Sequence, residues 1–330
     1  MIQVFRGLEN LPERFKGSVI ALGVFDGFHL AHRKIIETAI TEAKKMGVTS
    51  LLVTFDPHPR KVLNQSDGFV LPILTSLPEK IRLLSQTELD AVLFVQTDIE
   101  FLKMSPEEFI LTVLMEHLQV SKVIVGYDYR FGKDRAGNAA ILQEKSKFSG
   151  FDVEIVSMFS IEGEHVRSSA IRKLLLDGKV EAAWKLLGRP YSLTGKVIKG
   201  FGRGHALGFP TANILPNDSQ KLIPAFGVYF SRVHVKNSVS YGMSNLGTRK
   251  TFDAQEFSIE VNLFDPPTVD LYGEEIEVEL LKKLRDEIKF ESADELKKQM
   301  INDKMLCMKI KNEMEDKLNG IDERYQARVS

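Results

Sequence analysis

Between Val19 and Tyr129 the chain alternates short apolar runs with stretches of helical period. Val19 to Phe25 is an apolar run of strand length, and Thr49 to Phe55, Ala91 to Val95 and Lys122 to Tyr129 repeat it. Between them, His29 to Met46 carries apolar residues at helical spacing and stops at Gly47. Pro78 to Gln86 reads as a second helix. Ser105 to Leu118 opens on Ser-Pro-Glu-Glu, a cap followed by a proline that the first turn of a helix accepts. Strands and helices in strict alternation predict βαβ units. The expected first half is a parallel sheet with helices on both faces, an α/β unit of the doubly wound kind.

After about residue 190 the period changes. Leu193 to Lys199, Gly227 to Val235, Val239 to Met243, Glu256 to Phe264 and Glu275 to Leu281 are short β-like stretches between Gly, Pro, Asn and Asp turns. No helix long enough to cross over separates them, which predicts an antiparallel barrel or sandwich. Ala293 to Leu318 closes the pattern as a long charged helix, its charges forming a solvated face. The turn Gly188-Arg189-Pro190 is the expected linker, so residues 1–187 and 188–330 read as two domains, as a length of 330 residues also suggests. There is no internal repeat.

Composition narrows the partners. Lys and Arg total 44 against 45 Asp and Glu, so a general nucleic-acid footprint is not expected. No apolar run approaches the roughly 20 residues of a membrane span. The start, MIQVFRGLENLPERF, lacks a basic stretch followed by an apolar core, so the expectation is a soluble cytoplasmic protein acting on small molecules. No pattern in the chain sets an oligomeric state. The single cysteine, Cys307, rules out an internal disulfide and a cysteine-rich metal site; between Met305 and Met308 it reads as a buried apolar residue.

Two constellations carry the chemistry. Gly23-Val24-Phe25-Asp26-Gly27-Phe28-His29-Leu30-Ala31-His32 lies where the first predicted strand hands over to the first helix. Ligands of open parallel sheets bind beyond such strand ends, and the unpaired amides of a helix start favour phosphate. His29 and His32 share one face of the first turn, from which both can donate to a polyphosphate. Neither a Walker lysine nor a G-x-G-x-x-G is present, and taken alone the pair could equally be a cap and a surface residue. The second constellation is Gly195-Lys196-Val197-Ile198-Lys199-Gly200-Phe201-Gly202-Arg203-Gly204, followed by Leu207-Gly208-Phe209-Pro210-Thr211-Ala212-Asn213. Gly200, Gly204 and Gly208 suit either a phosphate-cradling loop or a string of β turns.

These motifs resemble a known family. F-D-G-x-H-x-x-H after the first strand looks like the H-x-G-H nucleotidyltransferases, and its context resembles the adenylyltransferase domain of prokaryotic bifunctional riboflavin kinase/FAD synthetases. Thr54-Phe55-Asp56-Pro57-His58-Pro59, Gly126-Tyr127-Asp128-Tyr129-Arg130-Phe131-Gly132 and Ser168-Ser169-Ala170-Ile171-Arg172 are similar to further segments of that family. The stretch G-K-V-x-x-G through L-G-F-P-T-A-N resembles the riboflavin kinase signature, and Gly242 to Arg249, Ile259 to Asp265 and Leu284 to Glu287 follow its pattern. The resemblance runs from about residue 15 to about residue 305.

The resemblance implies a Rossmann-like nucleotidyltransferase domain followed by a riboflavin-kinase-type antiparallel β-barrel with a C-terminal helix. It implies a bifunctional enzyme that phosphorylates riboflavin to FMN and adenylylates FMN to FAD, with ATP as co-substrate and Mg²⁺ as cofactor. His29 and His32 are then the catalytic pair of the transferase. Gly23, Phe25, Asp26, Gly27, Ser168, Ser169 and Arg172 bind ATP phosphates, and Phe55, Pro57, His58 and Asp128 lie at the flavin. In the kinase, Gly200, Gly204 and Gly208 lie at ATP, Thr211 and Asn213 hold the metal, Glu260 is the base toward the 5′-hydroxyl of riboflavin, and Arg285 lies near the flavin. The chain departs from the pattern at Ala31, where glycine is usual, at Arg167 and Ser169, where serine and threonine are usual, and at Asn262, where histidine is common. A paralogue that keeps only the kinase, and a flavin-sensing regulatory protein without turnover, stay open as alternatives.

Overall fold

The computed structural model describes residues 2–63, 72–199, 208–236, 238–250, 255–266 and 270–329. By packing, the chain forms two compact units. One comprises Met1–Arg172, Lys185–Gly188 and Gln220–Leu222; the other comprises Lys173–Trp184, Arg189–Ser219 and Ile223–Ser330.

The first unit is built on a six-stranded sheet. Its strands are β1 (Gln3–Arg6), β2 (Val19–Leu22), β3 (Ser50–Asp56), β4 (Ala91–Gln96), β5 (Lys122–Gly126) and, beyond the short hairpin of β6 (Arg130–Phe131) and β7 (Gly137–Asn138), β8 (Asp152–Val156). The order is β1-β4-β3-β2-β5-β8, with every pairing parallel. Successive side chains of a strand point to opposite faces, so each strand feeds two cores. Ile20, Leu22, Leu51, Val53, Leu93 and Val123 pack on one side with Phe109, Val113 and Leu142. Val19, Ala21, Leu52, Val92 and Ile124 pack on the other with Ile36, Ala39, Ala43 and Leu84. The helices that cover these faces include α1 (Leu30–Met46), α3 (Leu77–Leu84), which follows the short α2 (Pro59–Leu63), and α6 (Ala139–Ser146), which follows α4 (Ile99–Lys103) and α5 (Pro106–Glu108). Helices on both faces of a parallel sheet are the predicted arrangement.

Winding from β2 runs through β3 to β4 in one direction and through β5 to β8 in the other. The reversal lies between the adjacent strands β2 and β5, the place where an open α/β sheet binds ligands beyond its carboxyl ends. The turn from Gly23 to His29 leaves β2 there, and the loop bearing Asp128 leaves β5 beside it.

After β8 the first unit adds a short antiparallel pair, β9 (Ser160–Ile161) and β10 (Glu164–His165). The second unit contains a closed barrel of β11 (Tyr191–Ile198), β12 (Ala212–Pro216), β13 (Gly227–Val235), β14 (Ser238–Lys250), β15 (Gln255–Leu263) and β16 (Glu275–Arg285). Around the barrel the order is β11-β12-β15-β14-β13-β16, every pairing antiparallel, and closure leaves no edge strand. At Gly195 a Cβ would lie 2.2 Å from the Leu215 carbonyl oxygen, so the β11–β12 approach requires glycine. The last helix, Ala293–Val329, lies against the barrel's outer face. Phe209, Val228, Phe230, Met243 and Leu281 share a cluster there with Cys307, Trp184, Met300 and Ile310. Cys307 is fully buried, and burial together with nearby Asp303 pushes its thiol up to about 12, so it is an inert core residue.

Four differences from the sequence pattern have physical causes. β2 stops at Leu22, because Phe25 and Phe28 take φ of +52° and +44° and turn the chain although both side chains are buried. β1 and β8 are short edge strands with little apolar signal. β12 is a sixth barrel strand that begins at the last two residues of the G-F-P-T-A-N run and continues to Pro216. β14 continues beyond the predicted end at Met243 to Lys250, pairing with β15 from Gly242 to Lys250.

Candidate active sites

The turn after β2 is held by groups from several other elements. The Val24 carbonyl accepts from Thr54 Oγ1 at 3.0 Å and from Lys80 Nζ at 2.9 Å. The Asp26 carboxylate, 5% exposed, accepts from the amides of Leu74 (2.9 and 3.2 Å) and Thr75 (3.1 Å) and pairs with the Arg172 guanidinium. Its backbone carbonyl accepts from Ser168 Oγ at 2.8 Å, and the Gly27 amide donates to Thr75 Oγ1 at 3.0 Å. Gly27 has φ +92°, and a Cβ there would lie 2.9 Å from Leu74 Cδ1, so this position requires glycine. Asp26, Ser168 and Arg172 thus meet as one cluster around the turn, while Ser169 is exposed beside them at the start of α7 (Ser168–Leu176).

The held turn delivers the histidines. His29 is the N-cap of α1, its Nδ1 accepting from the His32 amide at 3.3 Å, and the two rings stack with centroids 3.5 Å apart. With Nδ1 accepting, the proton of a neutral His29 ring sits on Nε2. Phe25 packs edge-on to His32 at 5.2 Å, fixing the second ring from the other side. Ala31 is half-buried in the same helical turn. The two imidazoles stand at a helix N-terminus, where backbone amides and the helix dipole favour negative charge.

Beyond β3, Phe55 is buried, Pro57 is exposed and His58 is half-buried, its Nδ1 accepting from the Arg60 amide at 3.1 Å. Phe55 joins an aromatic wall through Phe101 (5.8 Å), Phe109 (6.1 Å), Phe131 (5.3 Å) and Tyr129 (5.6 Å). Asp128, exposed after β5, stands next to this wall in sequence. Burial pushes His58 down to about 4; Asp26 opposes the shift, while Lys80, Arg172 and Arg60 add to it. The folded value lies below the 6.5 of an unperturbed imidazole. Between the two values the unfolded chain therefore binds a proton that the folded chain does not. Stability from this residue falls as pH drops through that window and is unaffected above it. An NMR titration is expected to place the His58 ring near pH 4, neutral at pH 6; a midpoint at 6 or above would contradict this environment.

Sequence reasoning missed Thr54, Leu74, Thr75 and Lys80. Lys80 is 7% exposed, and burial pushes its ammonium down while Asp26 and Asp56 pull it back. Its only sequence signal is a lysine at the buried period of α3, beside Leu83 and Leu84. Leu74 and Thr75 hold Asp26 through backbone amides, which no side-chain pattern encodes, and Thr75 adds its hydroxyl as the acceptor for the Gly27 amide.

In the barrel, register assembles the second constellation. Asn213 on β12 lies opposite Glu260 on β15, which lies opposite Asn245 on β14; that residue faces Val228 on β13, itself opposite Arg285 on β16. Residues directly opposite in antiparallel strands share a face and stand about 5 Å apart at Cβ. Val228 belongs to the cluster under the last helix, so the row lies on the outer face of the barrel. Thr211 precedes Asn213 by two positions; it is half-buried, as is Glu260, and Asn213 is 7% exposed. Asn262 stands one step along β15 on the same face and donates to the Pro210 carbonyl at 2.8 Å, fixing the Phe209–Thr211 approach. Arg285 closes the row with its guanidinium on buried Asp303, at 3.0 Å through Nε and 2.9 Å through its terminal nitrogen. Gly208, with φ +82°, is exposed, and Gly200 and Gly204 lie outside the described residues.

A histidine-bearing turn at the switch point of a parallel sheet, in one chain with a closed barrel bearing a carboxylate between two amides, is the arrangement of two fused nucleotide-dependent enzymes. Residues 11–170 match the family model described as FAD synthetase, and residues 187–311 match that described as riboflavin kinase. The chain is 35% identical over 306 residues to the bifunctional riboflavin kinase/FMN adenylyltransferase of Escherichia coli (strain K12), covering 92% of this chain and 96% of that one. It is 36% identical over 286 residues to the protein of the same name from Listeria monocytogenes, covering 86% and 90%. A solved chain from Streptococcus pneumoniae, described as a macrolide-efflux protein, superposes with a TM-score of 0.84 at 29% identity over 93% of this chain and 99% of that one. No helix among the described residues is long and apolar enough to cross a membrane. The chain belongs to the bifunctional riboflavin kinase/FMN adenylyltransferase family.

Proposed function

We infer that the protein makes FAD from riboflavin in two ATP-dependent steps, one in each unit. The observation that carries the reading is the presence of both constellations, each held by its own fold. In the barrel unit the 5′-hydroxyl of riboflavin attacks the γ-phosphorus of ATP, Glu260 takes the hydroxyl proton, and ADP leaves. In the sheet unit a phosphate oxygen of FMN attacks the α-phosphorus of ATP and pyrophosphate leaves. Neither step needs a covalent enzyme intermediate, so catalysis is positioning and charge neutralisation.

Among the described residues no group of three or more His, Cys, Asp or Glu is placed to hold a metal. That suits Mg²⁺ arriving with the nucleotide, since this ion keeps water and phosphate oxygens as most of its ligands. Thr211 and Asn213 would hold it with a hydroxyl and an amide oxygen, two positions apart on one face of the chain. Bound there, the ion neutralises charge that builds on the transferred phosphoryl group. His29 and His32 would take the triphosphate in the sheet unit, with Phe55, Pro57, His58 and Asp128 on the flavin side. The hydrogen bonds of Asp26, Ser168 and Arg172 give them a further part, as the frame of the turn.

Riboflavin, ATP and Mg²⁺ incubated with the purified protein, with flavins resolved by chromatography, test the reading. FMN followed by FAD is the expected course. FMN without FAD would favour a kinase-only paralogue, and tight flavin binding without product a sensor.

A further inference from the structure

The turn that carries His29 rests on a lysine about two hundred residues further along the chain. Gln220–Leu222, from the connection between β12 and β13, folds as part of the first unit. Its backbone forms a parallel bridge with Ile73: the Ile73 amide donates to Gln220 O and the Leu222 amide to Ile73 O, both at 2.8 Å. Lys221 is buried, and its Nζ donates to Leu74 O at 2.7 Å and to Glu79 Oε2 at 2.5 Å. Glu79 is also buried. Its carboxylate accepts from the Ser76 amide at 2.9 Å, so one side chain both closes the N-terminal box of α3 and receives the lysine.

The atom that Lys221 holds explains the arrangement. Leu74 O and the Thr75 amide belong to one peptide plane. A cation at the oxygen end polarises that plane and fixes its orientation, and the hydrogen end donates to Asp26. The preceding amide, Leu74 N, donates to the same carboxylate, and Thr75 Oγ1 receives the Gly27 amide. Arg172 Nε holds Pro72 O at 2.9 Å at the other end of the segment. Pro72 to Thr75 is therefore a short rail, fixed by Arg172, the Gln220–Leu222 bridge and Lys221, on which the turn preceding His29 and His32 is seated.

We propose that Lys221, paired with Glu79, is a positioning residue of the adenylyl-transfer site, contributed by the part of the chain that also supplies the barrel. It touches no substrate; it sets the peptide that orients Asp26 and, through it, the phosphate-binding turn. The proposal rests on the transferase reading of that turn.

Lys221→Met alone would leave the Glu79 carboxylate buried and unpaired, which risks unfolding. The working variant is therefore Lys221→Met with Glu79→Gln, where glutamine preserves the capping box. In the full-length double variant, kcat for FMN to FAD is expected to fall at least tenfold. KM for FMN should stay within threefold, because Phe55 and Asp128 leave other strands, and kcat for riboflavin to FMN within twofold. Hydrogen exchange at the Leu74, Thr75 and Gly27 amides, which needs no turnover, is expected to accelerate at least tenfold relative to β3. FAD formation at the parent rate, a parallel fall of both activities, or unchanged protection of those three amides would each overturn the proposal. Failure of the transferase reading itself would appear separately, as a parent protein that makes no FAD from FMN while the exchange effect persists.

Discussion

Replacing Glu260 with glutamine is expected to stop FMN formation from riboflavin and to leave conversion of FMN to FAD at its parent rate. Glutamine keeps the shape of a half-buried side chain on β15 and the row between Asn213 and Asn245, so packing is preserved. What it loses is the capacity to accept the hydroxyl proton. A positioned base contributes about 10²- to 10⁴-fold to such a transfer. The proposed metal ligands Thr211 and Asn213 are left in place, so the expected loss is in kcat, with KM for ATP little changed. The transferase is spared because Glu260 lies in the second compact unit, while the His29 turn lies in the first. Chromatography of flavins, started separately from riboflavin and from FMN, measures both arms. Loss of both activities in a folded variant would contradict two independent sites.

At His29 the reverse pattern is expected. His29 caps α1 and is the proposed phosphate ligand, and the two roles can be separated. Asparagine is among the best N-cap residues, so His29→Asn retains an acceptor for the His32 amide and keeps α1 intact. It removes the Nε2 donor and the ring that stacks on His32. Removing one preorganised donor to developing charge costs about 10²- to 10³-fold. FMN should accumulate with little FAD, and the melting temperature should hold. His29→Ala loses the cap as well, at about 1 kcal/mol of stability, and should show the same loss of FAD together with a lower melting temperature. FAD formation by the asparagine variant within tenfold of the parent would remove His29 from the chemistry.

Much of this was legible in the chain because it is local. The helix from His29 to Gly47 is announced by its period and its stop, and the observed α1 begins with His29 as cap, one of the two roles that an isolated H-x-x-H pair allowed. The alternation of strands and helices up to Tyr129 predicted the parallel sheet, and the loss of helical crossovers after residue 190 predicted an antiparallel barrel or sandwich, of which the fold is the barrel. The motifs around His29, Asp128, Asn213 and Glu260 pointed to the family to which the comparisons assign the chain. The barrel strands were harder to read. β12 and the far half of β14 place polar residues, Asn213 and Asn245, on the row that holds Glu260, so they lack the apolar alternation of a strand that serves only a core.

Residue types and their short-range spacing, then, settled which chemistry the chain carries and which elements present it. Tertiary structure decided which residues each candidate site brings together. No spacing rule predicts that Asp26 receives the Leu74 and Thr75 amides and the Arg172 guanidinium, that Asn213, Glu260 and Asn245 fall on one row, or that Lys221 folds against Glu79 in the first unit. Strand register, the sheet's switch point and backbone hydrogen bonding are set by how whole elements bury their apolar faces against one another. These contacts join residues far apart in sequence, through backbone groups that every residue possesses, so no local pattern of side chains records them.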